Sequence, residues 1–385
     1  MTSTQHTASV PSAAPDAARS AHRRVDLDWM RGLAVVIMIG AHVLGSWTRP
    51  ADKTTEAYSW TVMVAGMAAP MFLFTAGVAV ALAGAGRVRR GSSVADASRS
   101  LVWRGCQIFG LAFLFRVQSW LLAPGAPAAG LLKVDILNIM GPALVGAAWL
   151  WGRSSSRRWR IVTAVAAAAL FGGITPLVRS SELLGVLPDA VEWYLRPSPR
   201  GTNFTLFPWA GFVFAGLAAG EIMGMGRGRA GEARVSAGLL IAGALGALLA
   251  YGASYLPAVF EGSTFGTSAP SFFGWRVGLL AVILGGCYFY TRRWVEGRWS
   301  ALVQFGRTSL FVYWIHVEMV YGVFSGPLHR QLPLVASLGA FVVFALFLLG
   351  LSILKTRGVA WYRSVQSVGA YRPDPAGMRL PPASR

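Results

Sequence analysis

Two histidines and an arginine lie inside apolar stretches where hydrocarbon offers them no solvent partner. His42 sits in "LDWMRGLAVVIMIGAHVLGSW" (27–47), His316 in "GRTSLFVYWIHVEMVYG" (306–322) and Arg116 in "SLVWRGCQIFGLAFLFRVQSW" (100–120). Imidazole exchanges protons near neutral pH and guanidinium holds anions, so ionisable groups within a membrane are candidate site residues by default. The alternative for each is a structural side chain satisfied by a neighbouring helix. Spacing weighs against three coincidences. A helix rises ~1.5 Å per residue, which puts His42 about 16 Å beyond Arg31, His316 about 14 Å beyond Arg307 and Arg116 about 18 Å beyond Arg104. The three groups thus fall in one layer, at or just past the membrane midplane, as a polar chamber would require.

Asp135 and Asn138, three apart in "VDILNIMGPALV" (134–145), share a helix face and approach that layer from the other side. They could complete the chamber or orient an imidazole, as a carboxylate does when it fixes a histidine tautomer. Asp28 and Arg31 are also three apart and mark the inner mouth, with Arg104 and Arg307 near their level. A basic cluster there can bind an anionic cytoplasmic ligand such as a phosphorylated cofactor. Interfacial snorkelling with an intrahelical ion pair is the competing explanation.

The elements that must carry these residues are membrane spans. Of 385 residues 54% are hydrophobic and 13% charged, against roughly 25% charged in soluble domains. Apolar blocks of about 20 residues match the ~30 Å hydrocarbon core, and uninterrupted blocks mean helices rather than barrel strands. Ten spans are expected, near 29–48, 59–84, 101–122, 131–151, 159–178, 205–225, 235–254, 272–291, 300–324 and 334–354. The fold class is therefore an all-α polytopic helical bundle. It occupies 23–355, between a disordered tail at 1–22 and a basic, Pro-rich tail at 356–385.

The net charge of +19 comes from 35 basic and 16 acidic residues. The basic residues cluster in alternate connections, such as "GRVRRG" (86–91), "GRSSSRRWR" (152–160) and "TRRWVEGR" (291–298), whereas "PGAPAAG" (124–130) carries no charge. This is topology signalling rather than nucleic-acid binding, and it puts both termini in the cytoplasm of a multi-pass plasma-membrane protein. The two cysteines, Cys106 and Cys287, make neither a disulfide framework nor a CxxC motif, and no H-x-x-x-H pair occurs, so no metal is expected. The long, aromatic loop 179–204 reads as a lid or substrate-facing element.

Several segments in order resemble the integral membrane acyltransferases. "VDLDWMRGLAVVIMIGAH" is similar to their first-span "LDxLRGLA…H" signature, "AAPMFLFTAGVAVALA" (68–83) to their "APxFxFxxG" segment and "SLVWRGCQIFGLAFL" to their third-span arginine segment. "VDILNIMGPALV", "FPWAGFVFAGLAAGE" (207–221) and "SAPSFFGWRVGLLAVILG" (268–285) resemble the heparan-α-glucosaminide N-acetyltransferase-like branch, and "GRTSLFVYWIHVEMVYG" the family's "GxxSLxxYxxH" span. Lysosomal members carry asparagine at the place of His42 and a catalytic histidine in the following loop, where this chain has none. The first-span histidine of the bacterial O-acyltransferase branch does match His42.

The resemblance implies a bundle that passes an acyl group, chiefly acetyl, from cytoplasmic acyl-CoA to a sugar or glycan hydroxyl or amine on the far side. It implies His42 as general base or transient acyl carrier, with Arg116, His316 and Asp135 positioning the acceptor or stabilising the oxyanion. Arg31, Arg104 and Arg307, with Asp28, would lie nearest the CoA phosphates. Expected partners are acyl-CoA, a glycan or other small-molecule acceptor and membrane lipids, with a homodimer as the candidate assembly. A small-molecule transporter with a polar midplane site is the alternative. Pro70, Pro176 and Pro208 break spans as transporters often do, but no 5+5 repeat accompanies them.

Overall fold

The structure, a computed structural model, describes residues 24–122, 125, 127–198 and 204–370. The tail expected over 1–22 lies outside these residues. Among the described residues regular structure is helical, with one isolated parallel bridge between Thr48 and Leu332. The helices are α1 Val25–Trp47, α2 Glu56–Ala65, α3 Ala68–Arg89, α4 Val94–Leu121, α5 Ile136–Gly152, α6 Arg157–Gly173 and α7 Thr175–Ser180. They continue with α8 Asp189–Glu192, α9 Leu206–Met223, α10 Gly228–Ala253, α11 Pro270–Trp294, α12 Ala301–Arg307, α13 Ser309–Tyr321 and α14 Leu334–Ala370.

Among the described residues, nine helical segments are long and apolar enough to cross a membrane. The ninth expected span, 300–324, is not one helix but two, α12 and α13, parted at Thr308. A single span read over 300–324 passes over the polar cluster Gln304, Arg307, Thr308 and Ser309 that lies at the break. Polar cross-links make it. Gln304 Nε2 donates to the Ser352 carbonyl at 2.9 Å and to Thr356 Oγ1 at 2.8 Å, and Thr308 Oγ1 pairs with Ser352 Oγ at 2.6 Å. These bonds pin the junction to α14. Both pieces nonetheless track α1 in a single register, with His316 against His42 and Val320 against Ser46, each 274 residues apart in sequence. Gly32 and Gly306 form the close crossing that starts this register, each lying against the other helix's backbone carbonyl, where a Cβ has no room.

The span expected over 59–84 is likewise divided, into α2 and α3, at Gly66–Met67. In the other direction α14 overruns its expected end at 354 and stays helical to Ala370, so 356–370 is not irregular tail. The first proline after the span is Pro373, and nothing before it forces the helix to stop.

Helix α9 forms the centre. Every residue from Ala210 to Glu221 is buried, against α3, α5 and α6, which is why its sequence is apolar on all faces. It meets α3 through Gly77 on the Val213 carbonyl and Gly216 on the Phe74 carbonyl. Such backbone contact replaces the hydrophobic drive that helices lack in lipid. At the end of the bundle nearest Arg24, hereafter the basic end, the buried Glu221 ties three helices together. It accepts from Trp151 Nε1 at 2.7 Å and faces Arg157 at 3.5 Å and Arg160 at 4.0 Å, while Arg160 also stacks 3.8 Å from the Trp151 ring. At the opposite end, Asp52 Oδ2 caps α14 by accepting from Leu334 N at 2.7 Å and pairs with Arg49 at 2.8 Å.

Candidate active site

The parallel register of α1 and α13 brings His42 and His316 into direct contact. His42 Nδ1 lies 2.9 Å from His316 Nε2, and the rings stack at 5.0 Å with 15° between their planes. His316 is fully buried, and its Nδ1 lies 2.8 Å from the Val312 carbonyl, one turn earlier on α13. A carbonyl only accepts, so this contact assigns the His316 proton to Nδ1 and leaves Nε2 as an acceptor. His42 Nδ1 must then donate to it. In the neutral state His42 Nε2 is left with an unshared electron pair, the state a general base requires. Tyr321 borders His42 edge-on, with ring centroids 5.5 Å apart.

A chain of contacts runs from His316 to the other candidate groups. The Tyr313 ring meets the His316 ring edge-on at 5.8 Å, and its hydroxyl donates to Asp135 Oδ2 at 2.9 Å. The same carboxylate oxygen pairs with Arg116 Nη2 at 3.0 Å. Asp135 Oδ1 accepts from Ile136 N at 2.7 Å, and Asn138 Oδ1 accepts from Asp135 N at 3.0 Å, so this residue also caps α5. Asp135 therefore completes the polar layer through Arg116 and Tyr313; its hydrogen bonds are to these and to its own helix, not to an imidazole. Arg116 Nε is buried with no hydrogen-bond partner among the described residues.

Three residues that sequence reasoning passed over belong to this layer. Tyr313 is one turn from His316 on the same face, a spacing that could have flagged it. Glu318 is an ionisable group within the same apolar run, and it accepts from Ser119 Oγ at 2.7 Å. Gln118 accepts from Trp314 Nε1 at 2.7 Å, and with Phe115 against the Tyr313 and Trp314 rings it locks α4 to α13.

The loop expected to act as a lid is described from 179 to 198, and residues 199–203 lie outside the described set. Trp193 buries itself with Val134 and Ile139 beside the α5 cap. Leu206 N donates to the Tyr194 carbonyl at 2.7 Å, and Asn138 Nδ2 to the Tyr194 hydroxyl at 3.4 Å. Burial raises the Tyr194 phenol above its ordinary pKa, so it stays protonated and can donate in turn. The loop is thus fastened over the Arg116–Asp135 side of the layer.

At the basic end Asp28 is buried and faces two guanidiniums, Arg31 at 3.4 Å and Arg307 at 3.7 Å. Arg307 remains 48% exposed, so it can meet a further anion. Arg104 stands apart from this group. It is exposed on α4 with Nη1 on Gln107 Oε1 of its own helix, at 3.3 Å.

Comparison with known families gives one match: residues 23–250 fit the family described as heparan-alpha-glucosaminide N-acetyltransferase, catalytic. No curated protein matches the chain. The match covers α1 to α10 and so includes His42, Arg116 and Asp135, while His316 falls beyond it.

Proposed function

Since the chain belongs to the heparan-alpha-glucosaminide N-acetyltransferase catalytic family, we propose that it transfers an acyl group, chiefly acetyl, from cytoplasmic acyl-CoA to a hydroxyl or amine of a sugar or glycan on the far side of the plasma membrane. The observation that carries this reading is the His42–His316 pair, in which the Val312 carbonyl sets the direction of both protons.

His42 Nε2 takes the proton of the acceptor O–H or N–H as that atom attacks the thioester carbonyl. The resulting imidazolium keeps its Nδ1–H on His316 Nε2, a bond that strengthens once His42 is charged. Arg116, held by Asp135, faces the negative charge that develops on the carbonyl oxygen. Collapse of that intermediate releases the CoA thiolate, and the proton returns from His42 Nε2 to sulfur. Acyl-CoA supplies the activated carbonyl. Arg307 and Arg31 hold its phosphates at the basic end, which by the distribution of arginines faces the cytoplasm. The basic residues fit such a group because Arg307 shares Asp28 with Arg31 and is half exposed. Apolar walls around the pair exclude the water that would otherwise hydrolyse the thioester. The loop around Trp193 closes the acceptor side.

Purified protein given acetyl-CoA and free glucosamine should release CoA thiol and form an acetylated sugar. His42→Asn keeps a hydrogen-bonding side chain but takes no proton near neutral pH, so kcat should fall roughly 10²–10⁴-fold, the ordinary worth of a general base. A deficit below about fivefold in folded His42→Asn protein would remove His42 from the role of base.

A further inference from the structure

The mechanism above leaves one hydroxyl beside His42 without a task. Tyr321 is the last residue of α13, and its ring meets the His42 ring edge-on, with centroids 5.5 Å apart and 62° between the planes. Packing of that kind needs only the ring, and phenylalanine would supply it. The phenol oxygen makes no hydrogen bond among the described residues, and the residue is exposed rather than sealed in the bundle. The other phenol of this layer, on Tyr313, is taken up by Asp135. A hydroxyl in apolar surroundings is costly until something accepts its proton, so the Tyr321 donor is free for a ligand.

The end of α13 is held firmly in place. The Val320 carbonyl accepts from Ser325 Oγ at 2.6 Å, from Trp47 Nε1 at 3.3 Å and from Ser46 Oγ at 3.4 Å. Helix α1 and the chain after α13 thus pin the residue before Tyr321 from two sides. Gly322 follows with extended backbone, where a Cβ would collide with the Glu318 carbonyl, and the helix stops. Tyr321 lies five residues beyond His316, about 7.5 Å farther along the helix. Helical side chains lean back toward the N-terminus, which lays its ring on His42. The Asp135 carboxylate acts electrostatically on both the His42 ring and the Tyr321 phenol, and the same carboxylate holds Arg116 at 3.0 Å. The phenol on α13 and the guanidinium on α4 therefore flank the space in front of His42.

We infer that Tyr321 is a catalytic residue: its hydroxyl donates a hydrogen bond to the carbonyl oxygen of the acyl thioester and, with Arg116, forms the oxyanion site for the reaction at His42. The inference rests on the acyl-transfer reading. The phenol keeps its proton throughout. As the acceptor atom attacks, the carbonyl π pair moves onto oxygen, and the hydrogen bond to that oxygen strengthens with its charge. When the pair returns, the carbon–sulfur bond breaks and its electrons leave on the CoA thiolate. A contact that is weak to the neutral carbonyl and strong to the oxyanion favours the transition state. The fixed end of α13 means that little reorganisation is needed to make it.

The test uses full-length protein in phosphatidylcholine nanodiscs with acetyl-CoA as donor and glucosamine as acceptor. Infrared difference spectra of bound acetyl-CoA, against the same compound isotopically labelled at the carbonyl carbon, are taken without acceptor. Wild type should lower the thioester C=O stretch relative to free acetyl-CoA, and Tyr321→Phe should return it toward the free value. In Tyr321→Phe kcat should fall on the order of 10²-fold, with the glucosamine KM unchanged. Its acetyl-CoA binding should weaken no more than about tenfold, the worth of one neutral hydrogen bond. The thermal midpoint should stay in place, since the hydroxyl holds no protein group. Tyr321→3,5-difluorotyrosine keeps the ring but carries a phenol that ionises near neutral pH, whereas an ordinary phenol keeps its proton to about pH 10. Its kcat should drop as pH rises through that ionisation, a limb absent from wild type over the same range. A kcat within fivefold of wild type in folded Tyr321→Phe, an unshifted stretch in wild type, or matching pH profiles for the two phenols overturns the inference. A raised glucosamine KM with kcat and stretch intact makes Tyr321 an acceptor contact and equally overturns it. A stretch lowered through Tyr321 without acetylation of the sugar supports the carbonyl site and refutes the sugar acyl-transfer reading; failure to bind acetyl-CoA refutes both.

Discussion

Replacing His316 with phenylalanine isolates what the histidine pair contributes. The ring stays, and with it the stacking on His42 at 5.0 Å and 15°, but the acceptor atom 2.9 Å from His42 Nδ1 is gone. His316 is fully buried, so water does not readily take the place of the lost acceptor. In the resting enzyme the bond joins two neutral rings and is worth about 0.5–1.5 kcal/mol, whereas with His42 charged it is worth about 1.5–3 kcal/mol. The difference, on the order of 1–1.5 kcal/mol, is the part that favours the transition state, and it corresponds to a fall in kcat of about five- to fifteenfold. On the proposed reading the donor binds at the basic end and makes no use of His316, so its KM should not move. The assay is steady-state CoA-thiol release by protein that remains monodisperse in gel filtration. A fall below twofold would show that His316 does not support a charge on His42. A fall beyond 10³-fold would exceed any supporting role and make His316 itself the base.

Two further expectations concern stability. Gly216→Val places a side chain against the Phe74 carbonyl at the α3–α9 crossing; overpacking there should cost about 1–3 kcal/mol and lower the midpoint of thermal unfolding, and an unchanged midpoint would refute the close backbone contact of these two helices. Asp52 is held below the usual carboxylate range by the Leu334 N–H it caps and by Arg49. A depressed folded pKa means that this stabilisation is complete above the unfolded pKa, about 3.9, and is lost as pH falls through the folded value. Asp52→Asn should therefore destabilise the folded protein at neutral pH and flatten the loss of stability that wild type shows below about pH 4; parallel acid-unfolding profiles for the two proteins would contradict this.

Much of the bundle could be read from the chain itself, because in lipid the backbone has few choices. Apolar blocks of spanning length must be helices. The rise per residue then fixes depth, which is why His42, His316 and Arg116 could be assigned to one layer, with Asp135 approaching it from the other side, before any contact was known. Depth says nothing of azimuth or neighbours, however. Spans such as α9 are apolar all round, so no amphipathic stripe tells which face turns inward, and the order of packing is set by where backbones approach closely. Only the Gly32–Gly306 crossing, with the register it imposes on α1 and α13, decided that His42 would meet His316 rather than lipid. Only the carbonyl of Val312 decided which nitrogen carries the proton. The kink at Thr308 depends on packing in the same way: Gln304 and Thr308 are polar in the sequence, but only α14 brings Ser352 and Thr356 beside them. Arg104 shows the converse, matched in depth to the basic cluster yet turned away on the exposed face of α4. Sequence set how far along its helix each charged group lies, since that is covalent geometry; tertiary packing set which of them touch, since that depends on shapes meeting across separate helices.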